Sequence, residues 1–136
     1  MTALYHAEAT SQGGRNGHAE LSEGGLDLTM ALPKEMGGSG QGNNPEQLFA
    51  LGYAACFNGA LGLVARQKGK KVDGSQVTAV VGIGKDATSF ALEVELKVSV
   101  PGMAREDVQE LAEAAHEVCP YSKATRGNVP VKLTVV

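Results

Sequence analysis

The chain has 136 residues, 43% of them apolar, which is the length of one domain with enough carbon surface for a core. Its net charge of -3 comes from acidic and basic residues mixed along the chain, so no basic face is offered to nucleic acid and no polybasic tether to a membrane. Aromatics at 4% without tryptophan leave no stacking platform for single strands, and two cysteines are too few for a disulfide scaffold or a thiolate-only zinc site.

The N-terminal MTALYHAEAT lacks the charged-then-apolar order of a secretory signal. No apolar run approaches the ~18 to 20 residues of a bilayer span. A single domain over residues 1–136 in the cytoplasm is the expectation. Leu4 to Thr10 alternate loosely and run into Ser-Gln-Gly-Gly, which predicts a strand entering a turn. Gly17 to Glu23, the pair Gly24-Gly25, and alternating Leu26, Leu28 and Met30 predict a hairpin, making the first third a short strand meander. From Pro33 to Asn44 the sequence PKEMGGSGQGNN predicts a connector or a mobile lip.

At Asn44-Pro45-Glu46 a capping residue, a proline suited to the first helical position and a first-turn carboxylate predict a helix start. The helix runs to about Gly69 with apolar or small residues on nearly every side, so it is expected to be buried nearly all round. Gly52, Gly59 and Gly62 each weaken a helix interior by ~1 kcal/mol relative to alanine, which argues for close packing or a kink. Val77 to Ile83 and Phe90 to Val100 predict a second hairpin with one wet face. Val108, Leu111, Ala115 and Val118 lie at helical spacing within an amphipathic helix from Arg105 to Val118, which Pro120 should end. VPVKLTVV closes the chain as a strand. The order implies an α+β fold with helices on one side of a largely antiparallel sheet.

Cys56 sits in the apolar helix among Ala54, Ala55 and Phe57, where a thiol is commonly inert. Cys119 stands where a helix meets a proline-bearing turn, beside Tyr121, Ser122 and Lys123. Partial exposure and free backbone amides are expected there, which makes it the better redox candidate. The two are either core thiols or a working pair in which one sulfur attacks a peroxide and the other closes a disulfide. A thiol near pKa 8.5 in an apolar setting needs a cation to ionise at neutral pH. Arg15, after Gly13-Gly14, is a candidate supplier, and Glu46 can orient it through a bidentate pair; both also fit ordinary surface roles. His6, His18 and His116 show no metal-ligand spacing and are expected at the surface or in an interface. GGSGQGNN lacks the Gly-Lys-Ser/Thr of a phosphate loop.

Together, GGRNG at 13–17, NPEQLFALGYAACF at 44–57 and VCPYSKATRGN at 118–128 resemble the organic hydroperoxide resistance branch of the OsmC-like family, with the match running over essentially the whole chain. The resemblance implies an intertwined homodimer, with sheets around long central helices and active sites at the subunit interface. It implies Cys56 as the peroxidatic residue, Cys119 as the resolving residue, and Arg15 with Glu46 as the activating pair. It further implies alkyl and fatty-acid hydroperoxides as substrates, recycling by dihydrolipoyl groups of lipoylated proteins or another dithiol, and no metal, haem or flavin. Met36, Phe49 and Tyr121 are expected to line the substrate mouth, where buried carbon surface at ~25 cal/mol per Å² favours alkyl chains.

Glu46 and Cys56 are ten positions apart, or ~15 Å along one straight helix. Either the helix breaks between them, or Arg15 and Glu46 reach Cys56 from the other protomer. Two other readings stand beside this one. The first is a non-catalytic stress-response binding protein of the same fold with structural cysteines. The second is a thiol hydrolase or acyl transferase, which the absence of a histidine from either cysteine motif disfavours.

Overall fold

A computed structural model describes residues 1–136 in two compact units, Met1–Leu48 and Phe49–Val136. In the first unit, β1 (Ala9–Gln12), β2 (His18–Leu21) and β3 (Asp27–Thr29) form the expected antiparallel meander in chain order, with β1 starting at Ala9 and not at Leu4 and taking in Ser11 and Gln12, which the sequence pattern places in the turn. Gly13 and Gly14, at φ 77° and 60°, turn the chain between β1 and β2, where a side chain would be strained. A single 3₁₀ turn over Gly14–Asn16 then carries Arg15.

The 33–44 segment is a connector with its own backbone bonds. It contains a 3₁₀ turn at Lys34–Met36. The Ala31 N–H donates to the Asn43 carbonyl at 2.9 Å, and the Asn43 N–H to the Thr29 carbonyl at 2.9 Å, so the far end of the connector returns beside β3.

Helix α1 (Pro45–Gln67) begins where the sequence places it. The Asn44 side chain accepts from the Gln47 N–H, and the Gln47 side chain accepts from the Asn44 N–H, both at 3.0 Å. This reciprocal cap, with Pro45 first in the helix, sets Glu46 in the opening turn. The helix is continuous over its 23 residues, so of the two alternatives the break between 46 and 56 does not occur. Of its three glycines only Gly52 is closely packed, since a Cβ there would lie 2.7 Å from the Tyr121 hydroxyl; nothing lies within 4 Å of the equivalent point at Gly59.

In the second unit β4 (Gln76–Lys85) and β5 (Phe90–Ser99) pair antiparallel, and β6 (Val131–Val135) joins β5 in parallel. The parallel pairing follows from the connection, because the chain crosses over through α2 (Arg105–Val118) and α3 (Pro120–Thr125) before returning. Val94, Leu96 and Val98 alternate inward from β5 and join one core with Tyr53, Phe57, Leu61 and Val64 of α1 and Val108, Leu111, Ala112 and Ala115 of α2. Each large member of that core contributes ~1.5–3 kcal/mol by burial. Glu93, Glu95 and Lys97, on the alternate positions, form the expected wet face.

Two expectations need correction. Helix α1 is not buried all round: Leu51, Ala55, Gly59 and Leu63, spaced four apart, form an exposed apolar strip. The same helix is long and apolar enough to cross a bilayer, against the reading of the sequence, yet its large side chains Tyr53, Phe57 and Leu61 are fully buried in a protein core.

Candidate active site

The turn of 14–16 and the first turn of α1 bring Arg15 and Glu46 together. Arg15 Nη1 donates to Glu46 Oε2 at 2.9 Å and Nη2 to Oε1 at 2.7 Å, the parallel fork in which a guanidinium and a carboxylate match. Asn16 Oδ1 accepts from the Leu32 N–H at 3.3 Å and anchors the turn. The bond to Arg15 holds the Glu46 carboxyl below the usual carboxylate range against a smaller upward push from burial, and Glu46 raises Arg15 in return.

In the second unit the two cysteines meet, with Cys119 Sγ 3.4 Å from Cys56 Sγ and neither in a disulfide. Their exposures are the reverse of the expectation: Cys119 is fully buried and Cys56 is partly exposed. Pro120 is the reason. It ends α2, but it also occupies the first position of α3, where its missing N–H costs nothing, so the chain re-enters a helix at once and Cys119 joins the core cluster. The expected free amide is present, because the Tyr121 N–H in the first turn of α3 faces the Cys56 sulfur and favours its thiolate. Burial outweighs it and pushes the Cys56 thiol above its ordinary range, with the neighbouring Cys119 sulfur adding to the rise.

Phe49 and Tyr121 stand together with Tyr53. The ring centroids are 6.2 Å apart for Phe49–Tyr121, 6.0 Å for Phe49–Tyr53 and 5.7 Å for Tyr53–Tyr121. Met36 lies in the first unit on its 3₁₀ turn and is 37% exposed. An open cavity of about 810 Å³ at the far end of the β4–β5 hairpin, lined by Lys85, Phe90, Asn128 and Pro130 among others, contains none of the expected site residues.

The histidines divide three ways. His6 is exposed. His18 contacts Asp27 across the β2–β3 pair, where Glu20 also points, so three possible ligand atoms lie within 4.8 Å of one another on an exposed surface. His116, expected at the surface or in an interface, instead joins an internal contact, because its Nδ1 lies 2.8 Å from Ser122 Oγ and its ring packs near Phe57. Burial lowers its pKa, the positive charge of Arg126 lowers it further, and Glu117 opposes.

Tyr53, Ser122, Thr125 and His116 form a network that sequence reasoning missed. The signal for it was present in Cys119-Pro120, since proline after a helix end also marks a helix start and would have placed Ser122 in a first turn.

A family model described as OsmC-like protein matches residues 38–134. The organic hydroperoxide resistance protein of Xanthomonas axonopodis pv. citri (strain 306) is 51% identical over 134 residues, covering 97% of this chain and 94% of that one. Among solved structures, OhrB of Bacillus subtilis superposes with a TM-score of 0.91 at 47% identity, covering 98% of this chain and all of that one. The organic hydroperoxide resistance protein OsmC of Legionella pneumophila gives a TM-score of 0.93 at 45% identity, with 98% of each chain covered.

Proposed function

The chain belongs to the OsmC-like family, in its organic hydroperoxide resistance branch, and from that premise we propose that it detoxifies organic hydroperoxides with Cys56 as the attacking thiolate and Cys119 as the resolving thiol. One observation carries this reading: the only two cysteines of the chain approach to 3.4 Å, with the one assigned to attack partly exposed and the other buried behind it. A purely structural pair has no need of that asymmetry.

The Cys56 thiolate attacks the distal oxygen of ROOH, the O–O bond breaks, and the alkoxide takes up a proton and leaves as ROH. Cys56 is then a sulfenic acid. The Cys119 sulfur attacks it, the S–OH bond breaks, and the hydroxyl departs with the Cys119 thiol proton as water, leaving a disulfide. The sulfurs must close by about 1.4 Å to reach S–S bonding distance. A dithiol reductant of the dihydrolipoyl class, carried on a lipoylated protein, takes up the disulfide and restores both thiols. Phe49 and Tyr121 offer apolar surface to an alkyl chain, and Met36 is assigned to the same mouth.

Burial disfavours the Cys56 thiolate, so an activating cation is required, and Arg15 held by Glu46 is the one assigned. Because α1 is continuous, the break that would have folded Glu46 back toward Cys56 is excluded, and the version retained is a homodimer in which the partner supplies the pair. The exposed strip of Leu51, Ala55, Gly59 and Leu63 supports such a partner. The cytoplasm, which keeps unpaired cysteines reduced, fits this cycle.

Stopped-flow oxidation of the reduced protein by an alkyl hydroperoxide and by hydrogen peroxide, with thiols counted before and after, tests the proposal. Loss of two thiols per chain, faster with the alkyl hydroperoxide, is expected. Retention of both thiols after excess alkyl hydroperoxide would overturn it.

A further inference from the structure

We propose that His116, Ser122 and Tyr53 are positioning residues that hold Cys119 in reach of oxidised Cys56, a deepening that rests on the thiol-pair reading above. Cys119 is the single residue between two helices, with extended backbone at φ -67° and ψ 124°. Its N–H donates to the Ala115 carbonyl and its carbonyl accepts from the Lys123 N–H, so it belongs half to each helix. A junction of one residue is where α3 would swing.

Three bonds oppose that swing. His116 in the last turn of α2 and Ser122 in the first turn of α3 straddle Cys119 and bond at 2.8 Å. Arg126, just past α3, donates from Nη2 to the His116 carbonyl at 2.6 Å. Ser122 Oγ also lies 2.9 Å from the hydroxyl of Tyr53, which stands on α1 three residues before Cys56. The clamp therefore ties the helix junction that carries Cys119 to the helix that carries Cys56.

Counting protons gives this network a direction. Thr125 Oγ1 donates to the Ser122 carbonyl at 3.1 Å, since a carbonyl cannot donate. Its one proton is used there, so Thr125 accepts from the Tyr53 hydroxyl, 3.1 Å away. Tyr53 has then spent its proton and accepts from Ser122, and Ser122 in turn accepts from His116. Position 116 must thus be a donor, and the Nδ1–H tautomer is assigned to His116. Asparagine can donate from the same region of space, and alanine cannot.

The test measures disulfide closure in His116→Ala, His116→Asn and Tyr53→Phe, with thermal melting to establish that each variant is folded. In one arm, one equivalent of alkyl hydroperoxide is followed by acid quench and mass spectrometry. In the other, diamide serves as a two-electron oxidant: it forms an adduct on Cys56 that Cys119 displaces, so closure is read without any peroxide.

His116→Ala and Tyr53→Phe are expected to close the disulfide about tenfold more slowly in both arms and, in the peroxide arm, to accumulate Cys56 sulfenic acid. His116→Asn should close within about twofold of the wild type. Closure by folded His116→Ala or Tyr53→Phe at the wild-type rate with diamide would overturn the clamp. So would a His116→Asn variant as slow as His116→Ala. Failure of the wild type in the peroxide arm alone would instead overturn the peroxidase reading and leave the clamp standing on the diamide result.

Discussion

The two cysteines occupy different surroundings, and their substitutions are expected to fail differently. Cys56→Ser should abolish hydroperoxide consumption, whereas Cys119→Ser should consume one equivalent per site and then stall or over-oxidise, as counted by mass spectrometry of the quenched protein. The ionisation of Cys56 provides a second expectation. Burial raises its pKa in the folded chain, so the thiolate is scarce at neutral pH unless a cation approaches. If Arg15 is that cation, Arg15→Ala moves the pH profile of Cys56 alkylation by iodoacetamide toward alkaline values, and a profile displaced by about one pH unit means about tenfold less reaction at neutral pH. An unmoved profile would remove Arg15 from that role. Glu46 has the opposite sign. Its folded pKa is depressed by the bond to Arg15, so its contribution to stability is complete above the ordinary value of 4.5 and is lost as pH falls through the lower folded value. Thermal melting from neutral to acid pH should show that loss in the wild type and not in Glu46→Gln.

At the scale of elements, the glycines of α1 separate two effects that act in opposite directions. Alanine gains ~1 kcal/mol over glycine in a helix interior. At Gly52 the new Cβ would meet the Tyr121 hydroxyl at 2.7 Å and two ring carbons at 3.1 Å, and overpacking of that kind costs ~1–3 kcal/mol. The clash outweighs the propensity, so Gly52→Ala should lower the melting temperature and displace Tyr121; if Tyr121 lines the substrate mouth as proposed, the preference for alkyl hydroperoxide over hydrogen peroxide weakens with it. A raised melting temperature with unchanged preference would show that the ring moves aside without consequence. Helix α1 is legible in the sequence because its start carries three agreeing signals in Asn44, Pro45 and Glu46. Helix α3 has only the one signal of Pro120, which serves equally as the terminator of α2, and PYSKAT is too short for periodicity to show.

At the scale of the whole molecule, the exposed strip on α1 bears on assembly. Leu51 is 69% exposed and Leu63 40%, an apolar line that water covers in a lone chain. Covering the 40% of Leu63 that is exposed contributes ~0.6–1.2 kcal/mol, and a two-fold interface counts it twice, so Leu63→Lys should weaken a homodimer by at least about tenfold in Kd. Sedimentation equilibrium reads this directly. A wild type that sediments as a monomer at micromolar concentration would end the proposal of a partner-supplied Arg15–Glu46 pair.

Local rules determined the strand meander, the start of α1, the second hairpin and the span of α2, because caps, turns and apolar spacing act over a few residues. They also kept Cys56 and Cys119 among the few candidate reactive groups. Tertiary structure alone decided that the two sulfurs meet, that Cys119 is the buried one and Cys56 the partly exposed one, and that His116 faces Ser122. The first two facts depend on where α3 packs against α1, and a contact between residues 63 positions apart leaves no periodic trace in either segment; the third depends on how the chain turns at Cys119 between α2 and α3.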